Sequence, residues 1–399
     1  MYKTWQIRLH GKVQGVGFRP FVWKSAIARN LKGYVSNGME GLEIKIVATK
    51  SQATNFLNFI LKNAPVGSYI QAYTLDADEK QFFENFTIRE STSHETPSLL
   101  VGADVALCAD CLTDLQDTSN RRFGYAFTTC TCCGPRYSIL EKLPYDREHT
   151  TMKQFQMCRE CEQEFENPND RRFFSQTNSC PSCGISIQLL AADGTVLSTD
   201  ANEIIKKSTT AWFSGKIVAI KGLSGYLLTC DATNEYAVEL LRLRKHRPTK
   251  PFALMYPSME VLRSDVLRSK REMEVLQSSV APIVLLTLKN RPKSGIAYKA
   301  IAPELDKVGV MLPYAPLLFL LLEKFGRPIV ATSGNISQSP IVFQEEAHLQ
   351  LGSIADFLIT HNREIAVPQD DSVLAFADEV TPIVLRARAV WLQHCCFQI

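Results

Sequence analysis

A duplicated cysteine pattern constrains the fold of this chain of 399 residues more than any other feature. The segment CADCLTDLQDTSNRRFGYAFTTCTCCG aligns without a gap with CRECEQEFENPNDRRFFSQTNSCPSCG, which begins 50 residues later. Each copy holds two CxxC pairs that are separated by 18 residues. A repeat at a fixed spacing indicates a duplicated small module.

These cysteines predict two zinc sites. Two thiolates on one CxxC turn can face the same point, and two such turns complete the tetrahedral sulfur set that suits zinc. Metal binding would then supply much of the folding energy of modules that are too short to build a core alone. The predicted ligands are Cys108, Cys111, Cys130 and Cys133 in the first copy and Cys158, Cys161, Cys180 and Cys183 in the second.

Three alternatives stay open for these cysteines. They are buried thiols without metal, redox-active CxxC pairs, and metal sites that combine one CxxC pair from each copy. The extra thiol of Cys132 lies between two predicted ligands, and we expect it to point away from the metal.

Length and composition set broader limits on the class of protein. The chain is long enough for about two to four domains. Its net charge of +3 does not by itself point to a nucleic acid or a membrane as the partner. No stretch reaches the roughly 18 uninterrupted apolar residues of a membrane span, and the N-terminal residues lack the pattern of a secretion signal. We therefore expect a cytoplasmic protein without a membrane partner.

The first 90 residues predict a small domain of alternating strands and helices. The predicted elements are, in order, a strand at TWQIRLH, a helix over residues 20–32, strands at GYVSNG and GLEIKIVA, a helix over residues 51–63 that begins on a serine cap, and a last strand at QFFENFTIRE. Two of these strands are joined by a hairpin-type turn. The order βαββαβ is the ferredoxin-like plan.

A glycine-rich loop, GKVQGVGFRP, lies between the first strand and the first helix of this domain. Gly15 and Gly17 allow backbone N–H groups to turn inward, and the following helix adds the positive end of its dipole. The guanidinium of Arg19 can bind phosphate oxygens through two hydrogen bonds. Asn37, on a neighbouring strand, can hold a water molecule for in-line attack. The alternative is an ordinary glycine-rich turn beside a surface arginine.

From about residue 200 the chain returns to an α/β pattern. KIVAIKGL, APIVLLTL and RPIVATSG are apolar, strand-like runs that are separated by helical segments. A basic cluster lies between the first two runs, and its prolines predict that a helix ends there. Basic side chains at such a helix end can bind a triphosphate, although a basic run is usually a solvated helix face. The basic residues are Arg242, Arg244, Lys245, Arg247 and Lys250.

The loop and the neighbouring strand resemble the acylphosphatase family. The similarity lies in Gly11-Lys-Val-Gln-Gly15-Val-Gly17-Phe-Arg19 and in Gly33-Tyr-Val-Ser-Asn37-Gly38. The resemblance implies that Arg19 binds the acyl phosphate and that Asn37 orients the attacking water. It implies a phosphate-binding loop made of Gln14, Gly15, Val16, Gly17 and Phe18.

The third region resembles the YrdC family, which forms carbamoyl-type adenylates from ATP. The matching segments are Lys221, then Lys245-His-Arg247-Pro248 with Pro251, then Ser333-Gly-Asn335. The resemblance implies a twisted α/β domain. It implies that the nucleotide is bound by Lys221, Lys245, Arg247, Ser333 and Asn335.

The order of these modules is similar to that of the HypF family, carbamoyltransferases of nickel–iron hydrogenase maturation. Further matches are NRRF, DRRF, CGPR, KPFALM and DDSV. The resemblance implies two structural zinc ions and hydrolysis of carbamoyl phosphate to carbamate. It also implies that ATP, with Mg²⁺, converts the carbamate to carbamoyl adenylate, and that the carbamoyl group is transferred to HypE. The expected modules are an acylphosphatase-like domain (1–92), a linker (93–105), tandem zinc modules (106–187), a YrdC-like domain (198–386) and an aberrant tail (387–399).

Two departures from the HypF pattern modify these expectations. Pro368 stands where the family usually has an arginine, so we expect weaker ATP binding. After Arg388 the family sequence gives way to AVWLQHCCFQI, so we expect a truncated form that lacks the final transfer domain. A function from another class is a zinc-containing RNA-binding module with a YrdC-like domain. Salt-sensitive affinity for RNA without ATP turnover would favour that alternative.

Overall fold

The computed structural model describes residues 1–65, 67–91, 101–336, 339–344 and 346–387. The chain divides into two compact units, one formed by Met1–Gly102 with Thr129–Ser179 and the other by Ala103–Thr128 with Cys180–Ile399. The module boundaries expected from the sequence remain predictions. Most of the expected linker and, from residue 388, the expected tail lie outside the described residues.

The first unit contains a five-stranded sheet of the order β4-β1-β3-β2-β5. β1 pairs antiparallel with both β3 and β4, and β2 pairs antiparallel with β3. The expected ferredoxin-like fold is therefore confirmed. The elements are β1 (Lys3–Lys12), α1 (Phe18–Ile27), β2 (Lys32–Gly38), β3 (Gly41–Ala48), α2 (Lys50–Lys62), β4 (Tyr69–Asp78) and β5 (Phe86–Ile88).

Alternation of apolar and polar residues explains the strands of this sheet. In β1, Ile7 and Leu9 are fully buried between more exposed neighbours. They face the same core as Ile44 of β3 and Phe56 of α2. Apolar residues at every second strand position are thus directed at the two helices, which fixes the register of the sheet.

Two details of the expected domain were wrong. The fourth strand of the ferredoxin-like order is Tyr69–Asp78, whereas the segment expected to be the last strand forms only the short β5, which pairs parallel with β2. β4 lies at the sheet edge with mostly exposed side chains, and only its second half, residues 73–78, alternates apolar and polar residues. α2 begins on Thr49, not on a serine, and Thr49 forms a capping box with Gln52.

Each cysteine module begins with a short helix. α3 (Ala109–Gln116) starts directly after Cys108, and α4 (Arg159–Glu166) starts directly after Cys158. The chain between the two copies forms three short 3₁₀ turns, at Tyr137–Ile139, Arg147–His149 and Thr151–Gln154. The two copies therefore repeat the same local structure, as the ungapped alignment predicts.

The second unit is built on an eleven-stranded mixed sheet of the order β16-β15-β11-β12-β10-β13-β9-β8-β14-β6-β7. The strands are β6 (Ile187–Ala191), β7 (Val196–Ser198), β8 (Val218–Lys221), β9 (Tyr226–Asp231), β10 (Ala253–Met255), β11 (Ile283–Thr287), β12 (Lys307–Met311), β13 (Ile329–Ser333), β14 (Phe357–His361), β15 (Val373–Phe376) and β16 (Pro382–Arg386). The three apolar runs expected to be strands correspond to β8, β11 and β13, which confirms the α/β pattern.

Helices pack in this unit as well, and one of them ends where the basic cluster predicts a helix end. The helices are α5 (Ala201–Phe213), α6 (Glu235–Arg244), α7 (Met259–Asp265), α8 (Lys270–Leu276), α9 (Tyr298–Ile301), α10 (Pro316–Phe325) and α11 (Ala347–Leu351). α6 ends within the basic cluster, ahead of Pro248, because a residue before proline is disfavoured in the helical conformation. In the part of the chain that the structure describes, none of the helices is both long and apolar enough to cross a bilayer.

Candidate functional site

The glycine-rich loop of the first unit has the conformation of an anion-binding turn. Gly15 and Gly17 have φ angles of 70° and 75°, in the left-handed region that glycine adopts without strain. The side chains of Val16 and Phe18 are buried in the hydrophobic core. In the described part of the chain, the backbone N–H groups of residues 15–19 have no hydrogen-bond acceptor. Free N–H groups at a helix N-terminus attract an anion.

Arg19 and Asn37, the two predicted catalytic residues, lie together beside this loop. Their side chains are buried, with 8% and 1% of each residue exposed. With its oxygen oriented towards Arg19, the Asn37 amide accepts hydrogen bonds from Arg19 Nε and Nη2, both at 3.2 Å. Arg19 Nη1 forms an ion pair with Asp146 Oδ1 at 2.7 Å. The guanidinium is thus held in place before any ligand arrives.

Gln14, which the sequence places in the phosphate loop, serves as an anchor. Its Nε2 donates to the carbonyl oxygens of Gly38 and Gly41, both at 2.8 Å, and its Oε1 accepts from the backbone N–H of Tyr145 at 3.0 Å. Because all these partners are backbone groups of the protein, Gln14 fixes the loop against the β2–β3 turn, and both N–H donors of its amide are already used.

The cavity at this loop has an empty volume of about 360 Å³. The sequence did not identify Tyr145, which lines this cavity, or Asp146, the ion-pair partner of Arg19, because both lie between the two cysteine copies and match no motif singled out there. Arg136 belongs to the CGPR match, but the sequence gave it no role. The lining includes Gly15, Gly17, Arg19, Asn37, Thr131, Arg136, Tyr145 and residues 174–177.

The eight predicted zinc ligands form two clusters, one within each copy of the repeat. The clusters are Cys108, Cys111, Cys130 and Cys133, and Cys158, Cys161, Cys180 and Cys183. The Sγ atoms of each cluster lie within 4.8 Å of one another.

This geometry fits zinc. A tetrahedral site with Zn–S bonds of about 2.3 Å needs Sγ atoms roughly 3.8 Å apart. The separations are 3.8 Å between Cys130 and Cys133 and 3.7 Å between Cys180 and Cys183. Cys132 is exposed and belongs to neither cluster, as expected.

Lys245, a predicted nucleotide ligand, is buried at the end of α6. Its Nζ donates to the carbonyl oxygens of Ser333 and Asn335 at 2.6 and 2.7 Å, and to Asn335 Oδ1 at 2.7 Å. Burial, together with the charges of Arg247 and Lys250, lowers the pKa of Lys245 to about 7. The structure therefore joins the basic cluster to the Ser333-Gly-Asn335 segment, although the two are far apart in sequence.

Arg247 and Ser333 line the larger cavity of the second unit, which has an empty volume of about 1000 Å³. Arg247 Nη1 donates to Thr332 Oγ1 at 3.3 Å, and its Nε donates to the carbonyl oxygen of Lys250 at 3.1 Å. Burial and the charges of Arg242 and Arg386 lower the pKa of Arg247 to about 10, so it stays a cation at neutral pH.

Lys221, a further predicted nucleotide ligand, lies on β8. It is buried, and its Nζ donates to the carbonyl oxygen of His361 at 3.0 Å. Like Lys245 and Asn335, it is not among the described residues that line the larger cavity. Arg386, which the sequence did not single out, does line that cavity and forms an ion pair with Asp370 at 3.7 Å. Asp370 belongs to the DDSV match, so this motif was the sequence feature that could have pointed to this wall of the cavity.

Three family models match successive parts of the chain. The acylphosphatase model matches residues 5–88. The HypF finger model matches residues 107–140 and 157–190. The Sua5/YciO/YrdC model, described as telomere recombination, matches residues 210–387. The modules expected from the sequence are therefore present in the expected order.

Longer similarities cover nearly the whole chain. The carbamoyltransferase HypF of Synechocystis is 46% identical over 390 residues, which are 97% of this chain and 50% of the relative. The carbamoyltransferase HypF of Rhodobacter capsulatus is 43% identical over 386 residues, 96% of this chain and 50% of the relative. A crystal structure of full-length HypF in the phosphate- and nucleotide-bound form has 40% identity and a TM-score of 0.92, covering 98% of this chain and 50% of that one. The chain spans about half the length of these relatives.

Proposed function

The chain belongs to the HypF family of carbamoyltransferases, and we propose that it converts carbamoyl phosphate and ATP into carbamoyl adenylate through two successive reactions. The observation that carries the proposal is the arrangement in the first unit. Five consecutive backbone N–H groups without an acceptor in the described residues lie beside a buried arginine–asparagine pair. The phosphate- and nucleotide-bound state of the similar full-length HypF supports the same two classes of ligand.

The first reaction is hydrolysis of carbamoyl phosphate in the first unit. The loop N–H groups and the guanidinium of Arg19 bind the phosphoryl oxygens and stabilise the charge that these atoms carry in the transition state. Asn37 orients a water molecule, which attacks phosphorus as the bond to the carbamoyl oxygen breaks. The products are inorganic phosphate and carbamate. A neutral amide suits this role because it does not repel the dianion.

The second reaction is adenylation of carbamate in the second unit. A carbamate oxygen attacks the α-phosphorus of ATP, and pyrophosphate leaves with the cleaved bond. Arg247 is the proposed ligand of the phosphate chain. Lys245 and Lys221 are proposed nucleotide ligands from the family resemblance. The Lys245 ammonium donates all three N–H groups to Ser333 and Asn335, so it would exchange one of these hydrogen bonds for a phosphate oxygen. Magnesium enters with ATP as part of the substrate.

HypE is the proposed acceptor of the carbamoyl group, by analogy with the family. No described residue is assigned to that transfer. The cytoplasmic location likewise remains a prediction. The RNA-binding alternative gains no support from these relatives, which are named as carbamoyltransferases.

One experiment tests both proposed reactions. Labelled pyrophosphate should exchange into ATP when the protein, Mg²⁺ and carbamoyl phosphate are all present, because adenylate formation is reversible. Inorganic phosphate should be released in the same mixture. Exchange that does not depend on carbamoyl phosphate, or an absence of exchange despite phosphate release, would exclude the proposed coupling of the two sites.

We also propose that both cysteine clusters bind structural zinc. Protein purified without added metal should contain about two equivalents of zinc, because each set of four thiolates has tetrahedral spacing. Cys158→Ser should remove about one equivalent, whereas Cys132→Ser, which changes an exposed thiol outside both clusters, should remove none. Elemental analysis gives the metal content. A reduced, metal-free protein with an unchanged circular dichroism spectrum and melting temperature would contradict a structural role.

A further inference from the structure

Arg136 is a buried arginine that binds main-chain carbonyl groups on two different segments of the first unit. It has 3% of its surface exposed. Its Nη1 donates to the carbonyl oxygens of Cys133 and Pro135 at 3.1 and 2.8 Å, and its Nη2 to those of Cys130 and Thr131 at 3.4 and 2.9 Å.

The fifth donor of Arg136 reaches the phosphate loop. Its Nε donates to the carbonyl oxygen of Gly15. A guanidinium has five N–H donors, so these contacts with five carbonyl groups account for all of them. Arg136 therefore lines the cavity without a donor to spare for a phosphate oxygen, unlike the ligand Arg19.

The duplicated module shows that the CxxC turn does not itself require this arginine. Residues 133–136 read CGPR, and the aligned residues of the second copy read CGIS, so Ser186 stands where the first copy has Arg136. Both copies nevertheless bring their four Sγ atoms together. Arg122 and Arg172, by contrast, occupy one aligned position in both copies. Arg136, which has no counterpart in the second copy, contacts the phosphate loop.

Holding the Gly15 carbonyl also orients an anion-binding group. The peptide bond is planar and trans, so a fixed Gly15 C=O fixes the N–H of Val16 in the opposite direction. That N–H is one of the five without an acceptor in the described residues. Glycine gives the loop more conformational freedom than other residues would. A Cβ at Gly15 would lie 3.1 Å from Arg136 Cδ, so the two groups are closely packed.

We infer that Arg136 is a positioning residue, which fixes the phosphate-binding loop in its anion-binding conformation from the Cys130–Cys133 turn. The inference rests on the proposed phosphate site and adds to it a residue that does not touch the substrate. A cation that attracted phosphate only through its charge could be replaced by lysine. An arginine that donates hydrogen bonds to five carbonyl groups cannot be replaced by lysine, because an ammonium lacks the planar fork and has only three donors.

The test is the affinity of Arg136→Lys for inorganic phosphate, measured by isothermal titration calorimetry on zinc-loaded protein. We expect the Kd for phosphate, and the KM for carbamoyl phosphate, to rise about 10- to 100-fold, since small misplacements at a reacting site have effects of this size. Zinc should remain at the wild-type level. Arg136→Gln, which removes the charge, should behave like the lysine variant.

Arg172→Lys is the matched control, because Arg172 is a buried arginine whose Nε donates to the Thr129 carbonyl at 3.1 Å and which recurs in both copies. Its Kd for phosphate should stay within about twofold of wild type. Wild-type affinity in Arg136→Lys would overturn the inference, and so would loss of zinc from both Arg136 variants, which would assign the residue to the metal turn. Phosphate binding without carbamoyl phosphate hydrolysis in the wild type would refute the proposed function instead, and the comparison of Kd values would still decide the role of Arg136.

Discussion

Arg19→Ala should lower kcat/KM for phosphate release from carbamoyl phosphate by about 100- to 1000-fold or more. Arg19 is the residue beside the loop that presents a charged, planar fork, and its guanidinium is already oriented by Asn37 and Asp146. Its removal leaves the loop N–H groups to bind the dianion alone. A continuous assay for inorganic phosphate measures the effect directly.

Arg29→Ala provides the control for this variant. Arg29 lies two residues past the end of α1, donates to the Ser25 carbonyl at 2.9 Å and stacks on Phe59, away from the phosphate loop. It should retain hydrolysis close to wild type. Full hydrolysis in Arg19→Ala would show that the site is assigned to the wrong residues.

A substitution of Asn37 distinguishes the positioning of water from the binding of carbamoyl phosphate in the same site. Asn37→Ala should lower kcat more than it raises KM, because an oriented water contributes in the transition state. Its amide also accepts hydrogen bonds from Arg19, so a moderate rise in KM is consistent with the geometry. The ion pair between Arg19 and Asp146 adds a further constraint, since an incoming phosphate competes with a carboxylate for the same guanidinium.

The sequence predicted those parts of the molecule that local spacing determines. The two four-cysteine clusters followed from the CxxC pairs and the ungapped repeat, because four thiolates on two turns have few ways to converge. The pairing of Arg19 with Asn37 followed from the ferredoxin-like strand order, which brings β2 beside the loop. Both predictions depended on patterns within a stretch of about 30 residues of sequence.

The features that the sequence did not predict depend on tertiary contacts, which leave no clear pattern in the local sequence. β4 was missed because only its second half, residues 73–78, alternates apolar and polar residues, and most of its side chains are exposed at the sheet edge. Tyr145 lines the first cavity and Asp146 pairs with Arg19, and both come from the chain between the cysteine copies, where no periodic pattern points to them. The sequence gave no sign that Lys221 is buried and that its Nζ donates to the His361 carbonyl. A buried ammonium needs a hydrogen-bond acceptor, and this acceptor is 140 residues away in the sequence.

The second large effect concerns the cavity of the second unit. Arg247→Glu should raise the ATP concentration needed for pyrophosphate exchange by about 100-fold or more, because it removes a charge-assisted fork and adds a like charge facing the phosphates. Arg247 lines the cavity and stays a cation, since its lowered pKa of about 10 is still well above neutral. Phosphate release from carbamoyl phosphate, a reaction of the first unit, should be unchanged.

Arg244→Glu is the matched control, because it makes the same change of charge within the same basic cluster. Arg244 forms an ion pair with Asp356 at 3.4 Å and does not belong to the described lining of the cavity. Its ATP requirement should therefore change little, although its melting temperature should fall because two carboxylates then face each other. An equal loss of exchange in both variants would show that the overall charge of the cluster matters and not the fork of Arg247. Loss of phosphate release together with exchange in Arg247→Glu would show that the two reactions are not separable in the way proposed.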